Sequence, residues 1–227
     1  MVDKNKDTAE ETAKLGKLRG SDARAFPCDV SDRAEVRKTS REIDEAFRRI
    51  DILVNNAEVF IHEPREQSTD EVVDLLIGVN LKGLLDCTRA AVPIMKRRKR
   101  GIIVNACSIL GAFPDVGLGV YGATKSAVAL LTRVMASEFA PYGIRVNAYQ
   151  PAVTDTPMVH HVIVERPESC DNSTTLSQVF NRSTAMRRNS FGYLLTRLFA
   201  TCSSFPCKVC LIRVSQVRGS VQQFARR

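Results

Sequence analysis

Four short apolar runs separated by helix-like stretches constrain this chain more than any other feature. The runs are "DARAFPCDV" (22–30), "DILVNNA" (51–57), "GIIVNACS" (101–108) and "GIRVNAYQPA" (143–152). Each is too short for a buried helix and apolar without strict alternation, as expected of strands covered on both faces. Between them, "SDRAEVRKTSREIDEAFRRI" (31–50) opens on capping residues and continues as an amphipathic helix. "STDE" (68–71) has the form of a capping box, Ser68 with Glu71, ahead of Val72, Val73, Leu75, Leu76 and Val79 at helical spacing. That spacing predicts a helix reaching about Arg97, and residues 119–139 predict another. Strands alternating with helices specify an α/β fold, a doubly wound parallel sheet. At 227 residues with 44% apolar content, one sizeable core is affordable.

From about residue 160 the pattern stops. Residues 160–227 are rich in Ser, Arg and Cys, and only "SFGYLLTRLFA" and "KVCLIRV" have the look of secondary structure. The chain therefore divides into an α/β domain, 1–159, and an atypical basic tail, 160–227, whose composition is compatible with disorder. The net charge of +8 belongs to that tail, which holds nine arginines and one lysine against three acids. Scattered arginines without interleaved aromatics make a poor nucleic-acid surface, so no nucleic-acid partner is expected. The charged start, "MVDKNKDTAEETAKLG", is neither a secretory signal nor an anchor, and no stretch approaches eighteen apolar residues. A cytoplasmic protein with seven reduced thiols is the expectation. Cys202, Cys207 and Cys210 lack a fourth ligand at a sensible spacing, and adjacent His160 and His161 on a strand would face opposite ways, so no metal is expected.

"VYGATKSAVAL" (120–130) carries the chemistry. Tyr121 and Lys125, four residues apart on a helix, stand one above the other. An ammonium beside a phenol favours the phenolate and lowers a pKa that is ordinarily about 10, which suits the phenol to proton exchange at an alcohol or carbonyl oxygen. An isolated pair of this kind is equally the polar face of an ordinary helix. This pair has company: "CDV" (28–30), "NNAE" (55–58), "GVNLKG" (78–83), "ACSILG" (106–111) and "RVNAYQPAVTDTPM" (145–158), with Ser108 thirteen residues before Tyr121.

In this order and register, the motifs over residues 1 to about 158 resemble the short-chain dehydrogenase/reductase family. The resemblance implies a Rossmann-like sheet and an NAD(P)-dependent oxidoreductase that interconverts a secondary alcohol and a ketone. Residue by residue, it implies Tyr121 as general acid/base and Lys125 as the residue that lowers its pKa and holds the nicotinamide ribose. Ser108 would donate to the substrate oxygen, and Asn80 would kink its helix and hold a water in a proton relay. Asp29 and Val30 correspond to the adenine contacts, Asn55 to the residue beside the adenosine ribose, and Thr154 and Thr156 to contacts on the carboxamide and phosphate side. Asp3, at the end of an apparent second strand "MVDKN", would receive the ribose 2′-OH and repel a 2′-phosphate, which favours NAD over NADP. The helices at about 68–97 and 119–139 correspond to a four-helix interface in the family, so a homo-oligomer is expected.

The departures are equally specific. If Asp3 ends the second strand, the first βαβ unit with its glycine-rich pyrophosphate turn is absent, leaving "DILVNNA" without its central neighbour. "GKLRG" (16–20) reads as a helix end and loop. The family's last strand is not evident either. Glu58 replaces the glycine of the N-N-A-G motif, and Ala152 the glycine after Pro151. Either side chain narrows the approach to a cofactor, and Glu58 adds a negative charge. A shortened or mis-joined gene product is the expectation for such a chain, and its alternative function is that of an inactive relative acting through oligomerisation.

Overall fold

The structure is a computed structural model that describes residues 1–113 and 115–151 and the backbone of residues 209–212. The described elements are β1 (Val2–Asp3), α1 (Lys6–Leu18), β2 (Phe26–Pro27), α2 (Arg33–Phe47), β3 (Ile52–Asn55), α3 (Asp70–Ile77), α4 (Leu84–Lys96), β4 (Gly101–Ala106), α5 (Gly119–Phe139), β5 (Ile144–Tyr149) and β6 (Val209–Ile212). Six strands form one sheet in the order β2-β1-β6-β3-β4-β5, and every pairing is parallel. The alternation seen in the sequence is therefore realised as a Rossmann-like sheet clad in helices.

Local chemistry accounts for the element boundaries. Asn5 caps α1 by accepting from the Thr8 N–H, and Asp32 caps α2 by accepting from Ala34 and Glu35. At the third helix the cap lies one residue beyond the expected Ser68: Thr69 accepts from the Val72 N–H. Ser68 is not free for that role, because it closes the turn Arg65–Gln67 and its hydroxyl donates to the Pro64 carbonyl. The helix expected to run to about Arg97 is interrupted by a π-helical stretch, Gly78–Gly83, between α3 and α4. Asn80 lies within it, and its side chain is drawn sideways to the backbone of Val59, accepting from N–H at 2.8 Å and donating to C=O at 3.0 Å. Helices widen in this way where a side chain has a second master to serve.

β3 and β4 are the centre of the core. Leu53, Val54 and Ile103 are essentially inaccessible, packed with Val128 and Met135 of α5 and with Ala91 and Met95 of α4. β5 extends the sheet from β4 over six paired residues, Gly101↔Ile144 to Ala106↔Tyr149.

One expectation is overturned here. β3 does not lack a neighbour on its β1 side, because Val209–Ile212 from the tail pair with Ile52–Asn55 in register and Ile212 also pairs with Val2. A run the sequence marks only as "KVCLIRV" thereby satisfies the strand edge that the missing first unit would have left open. The chain winds from β1 outwards to β2 and from β3 outwards to β4 and β5, so the switch in direction falls on either side of β6. Ligands of such sheets bind outside the carboxyl ends of the strands at a switch of this kind.

This pairing makes a testable claim. Proline at a central strand position removes a ladder donor. Leu211→Pro should lower the thermal midpoint by at least about 4 °C, the shift that a loss of one to two kcal/mol gives in a chain of this size. Amide exchange at Ile52–Asn55 should accelerate with it, and an unchanged exchange pattern there would rule out β6 as the strand beside β3.

Candidate functional site

Tyr121 and Lys125 occupy the first two turns of α5, whose approach to the end of β4 is set by glycine. A Cβ on Gly111 would come within 2.9 Å of the Lys125 backbone, and one on Gly122 within 2.9 Å of the Leu110 carbonyl. Without side chains at these positions the start of α5 presses on the turn Ile109–Gly111, and the Ser126 hydroxyl donates to the Gly111 carbonyl. Ser108, at the head of that turn, is thereby brought to Tyr121, and the two hydroxyls hydrogen-bond. Asn80 joins from the π-helical stretch, donating at 3.4 Å to Thr124, whose own hydroxyl donates to the Tyr121 carbonyl. Three separate elements thus bring Asn80, Ser108, Tyr121 and Lys125 together. All four are buried.

Lys125 is the largest side chain in the described core with almost no exposure, at 1%. An ammonium so placed must have partners. It donates to the Ala106 carbonyl at 3.0 Å and pairs with Glu58 Oε2 at 2.5 Å. The same Glu58 oxygen accepts from the Tyr121 hydroxyl at 3.3 Å. Phe60 packs edge-on against the Tyr121 ring at 4.8 Å.

The expected lowering of the Tyr121 pKa is consequently reversed. Burial pushes the phenol well above its ordinary value, and the negative charge and hydrogen bond of Glu58 add to the rise. The Ser108 hydrogen bond works in the other direction but does not offset them. Lys125, 5.5 Å from the ring centroid and held by Glu58, does not impose the phenolate. Tyr149, at the end of β5, is likewise pushed well above the ordinary phenol range, first by burial and then by Glu58.

The residues assigned to the adenosine side lie at the carboxyl ends of β1, β2 and β3. Asp3 is buried at the end of β1 and accepts from the Asn5 N–H at 2.9 Å. Asp29 pairs with Lys4 at 2.6 Å and accepts from both the N–H and the hydroxyl of Ser31. Burial alone would raise its carboxyl, but these contacts outweigh it and hold the group below the usual carboxylate range. Val30 is buried against Gly83, and Asn55 lies inside the core. The Asn55 amide donates to Thr88 and Asn105, and Asn105 donates in turn to Thr132, so one buried chain of hydrogen bonds ties β3 and β4 to α4 and α5. Asn55 Oδ1 is buried without a hydrogen-bond partner and borders a cavity of about 10 Å³ lined also by Val30, Ala57, Gly83, Leu84 and Cys87. That volume is close to the space one water needs. Thr154 and Thr156 lie outside the described residues. Among the described residues, no group of three or more His, Cys, Asp and Glu is placed to hold a metal ion, and no helix is long and apolar enough to cross a membrane.

These observations bear on a nicotinamide dinucleotide. The acids at the ends of β1 and β2 and the orphaned Asn55 oxygen suit the hydroxyl-rich adenosine end. Tyr121, Lys125 and Ser108 have the donor chemistry for the reacting end, where Glu58 already holds the ammonium. Sequence reasoning had marked Glu58 as a departure but not its contacts. It missed Asn105, Thr88 and Thr132 altogether, although an asparagine inside the apolar strand "GIIVNA" was a sign of an interior polar network.

The family model for short chain dehydrogenases matches residues 1–166. A 3-oxoacyl-(acyl-carrier-protein) reductase of Staphylococcus aureus is 37% identical over 151 residues, covering 65% of this chain and 60% of the relative. The corresponding reductase of Thermotoga maritima is 34% identical over 154 residues, covering 68% and 61%. This chain therefore spans less than two thirds of the length of these curated relatives. Among solved structures, a gluconate 5-dehydrogenase of Burkholderia cenocepacia in complex with NADP and tartrate superposes with a TM-score of 0.68 at 29% identity, covering 78% of this chain and 66% of that one. A 3-ketoacyl-(acyl-carrier-protein) reductase of Brucella melitensis complexed with NADH gives 0.65 at 34% identity, covering 70% and 66%.

The raised phenol has a consequence for stability. A group whose folded pKa exceeds its unfolded value contributes fully below the unfolded value, about 10 for tyrosine, and loses that contribution as pH climbs towards the folded one. The thermal midpoint should therefore fall as pH rises above about 10. Tyr121→Phe should fall less steeply over the same interval, and parallel curves would show that the phenol is not held neutral.

Proposed function

The chain belongs to the short-chain dehydrogenase family, and we propose that it acts as an NAD(P)-dependent oxidoreductase interconverting a secondary alcohol and a ketone. The observation that carries this reading is the convergence of Ser108, Tyr121 and Lys125, with Asn80 bonded to the same turn of α5, at the carboxyl edge of the sheet. A bound nicotinamide supplies or takes the hydride. The protein's part is to meet the charge on oxygen as it develops. In reduction, the Tyr121 hydroxyl gives its proton to the substrate oxygen while Ser108 donates a hydrogen bond to the same atom; in oxidation the phenol side takes the proton back. Lys125 steadies the phenol oxygen by charge and holds the nicotinamide ribose hydroxyls. Asn80, through Thr124 and the Val59 backbone, fixes the turn of α5 that carries Tyr121 and supports the water-borne end of the relay.

Asp3 is the candidate for the adenosine ribose 2′-OH. A buried carboxylate there repels a 2′-phosphate, which favours NAD over NADP. Asp29 and Val30 are the candidates for adenine, Asn55 for the neighbouring ribose, and Thr154 and Thr156 for the carboxamide and phosphate side. The relatives' names point to 3-oxoacyl thioesters and sugar acids as the first substrates to try. NADH consumption at 340 nm with a panel of such ketones tests the reading. Tyr121→Phe should lower turnover by at least about two orders of magnitude, the lower end of what a positioned acid/base contributes, with little change in cofactor affinity. Equal activity of variant and parent would remove Tyr121 from this role.

A second reading, that of an inactive relative working through association, is favoured by the ion pair that already occupies Lys125. In either case the faces of α3 and α5 are suited to a second copy: Leu75, Leu130 and Val134 are 44%, 55% and 42% exposed on helices otherwise packed against the core. Light scattering at micromolar concentration should give a dimer or larger for the parent and a monomer for Leu130→Glu with Val134→Glu. A monomeric parent would sink the association.

A further inference from the structure

Glu58 is the one charged group of the site for which the proposed reaction has no use. It lies in the loop after β3, where its side chain is 25% exposed, and its Oε2 takes both the Lys125 ammonium and the Tyr121 hydroxyl. With the Ala106 carbonyl also bonded, two of the three N–H donors of Lys125 are engaged within the protein. A second side chain closes the same edge from the other direction. Tyr149 ends β5, yet its hydroxyl donates to Asn56 Oδ1 beyond the end of β3, so its ring spans the carboxyl end of the intervening β4. Asn56 is two residues from Glu58. The loop after β3 is thus fastened over the site at both Asn56 and Glu58.

We propose that Glu58, with Tyr149 fastening the loop beside it, is an internal gate on the Tyr121–Lys125 pair: its carboxylate stands in for ligand hydroxyls, and a nicotinamide nucleotide reaches the pair only once Glu58 swings out. The inference rests on the cofactor reading above. A ribose diol offers Lys125 neutral acceptors, whereas Glu58 offers a charge-assisted bond, roughly twice as strong, so the closed arrangement prevails until a ligand gains contacts elsewhere. The open position is available to Glu58 because its carboxylate is already at the edge of solvent. Family members with glycine at this position have no side chain to move.

Four elements face the Tyr121 hydroxyl: the loop after β3 with Glu58, the end of β4 with Ser108, α5 with Lys125, and β5 with Tyr149. Cys107 adjoins Lys125 and Tyr149, and burial pushes its thiol up, which keeps it uncharged. Glu58 is the only anion in this set. Removing its charge must therefore alter both the titration of Tyr121 and the access of a ligand to Lys125.

Two variants separate shape from charge: Glu58→Gln keeps the side chain and Glu58→Gly abolishes it. Tyrosine ring-carbon NMR, with Tyr121→Phe as the assignment control, reads the phenol without any cofactor, and fluorescence titration with NADH reads access. The Tyr121 signal should titrate at lower pH in both variants than in the parent. NADH should bind at least about tenfold more tightly to Glu58→Gly than to the parent, the change that 1.4 kcal/mol produces, with Glu58→Gln between them. A Tyr121 titration identical in all three chains overturns the Glu58 contact and leaves the cofactor reading standing. A shifted titration with NADH affinity unchanged or weakened in Glu58→Gly overturns the gate. NADH binding to none of the three, with the titration shifted, counts against the cofactor reading and, since an opened gate should admit its ligand, against the gate as well.

Discussion

The buried ammonium of Lys125 is the constraint on which the rest of the site depends. A cation with 1% exposure cannot be left without acceptors, because the desolvation cost of an unpaired charge is several kcal/mol. Its acceptors come from two places: the Ala106 carbonyl at the end of β4 and the Glu58 carboxylate beyond the end of β3. Those demands draw α5 down onto the carboxyl edge of the sheet. They also explain why Gly111 and Gly122 stand where the helix and the preceding turn touch, since a side chain at either would hold the ammonium away from both acceptors.

Once α5 is seated, the remaining polar groups are placed by the same few contacts. Asn80 cannot serve the Val59 backbone and Thr124 from a regular α-helix, and the π-helical stretch around it is the conformational consequence. Asn105 sits fully buried beneath, bonded to Asn55 on one side and to Thr132 on the other, and so locks β3, β4 and α5 at a fixed distance. A polar network of this kind specifies register as much as stability, because a slip of one residue would leave each amide buried without a partner.

The strand–helix alternation was legible from the sequence because buried parallel strands are continuous apolar runs: β3, β4 and β5 fall inside the runs read for them, and α5 spans the residues expected. β2 is shorter than its apolar run, two paired residues within "DARAFPCDV", since it can pair only along the two residues of β1. The clustering of Asn80, Ser108, Tyr121 and Lys125 was legible from motif spacing. The protonation behaviour of Tyr121 was not, because it turns on Glu58, a residue 63 positions away whose effect depends on distance in space. Nor was the partner of β3 legible, since nothing in "KVCLIRV" distinguishes a central strand from any other short apolar run.

That last pairing bears on what the sheet can hold. A Rossmann-like sheet presents its ligand site at the switch in winding direction, between β1 and β3, and here the strand in the gap is β6, arriving from far along the chain. Its end, Ile212, pairs level with Asn55 and with Val2, next to Asp3. Whatever follows Ile212 in the chain therefore departs from the sheet beside the acid and the amide assigned to the adenosine ribose. The turn that cradles a pyrophosphate in such folds follows the strand in this slot. A strand taken from another part of the chain restores the sheet's hydrogen bonding without restoring that turn, because backbone pairing is indifferent to what comes next while phosphate binding is not. Integrity of the fold and competence of the site are in this way separable properties of the protein, the first resting on the ladders either side of β6 and the second on the residues at its carboxyl edge.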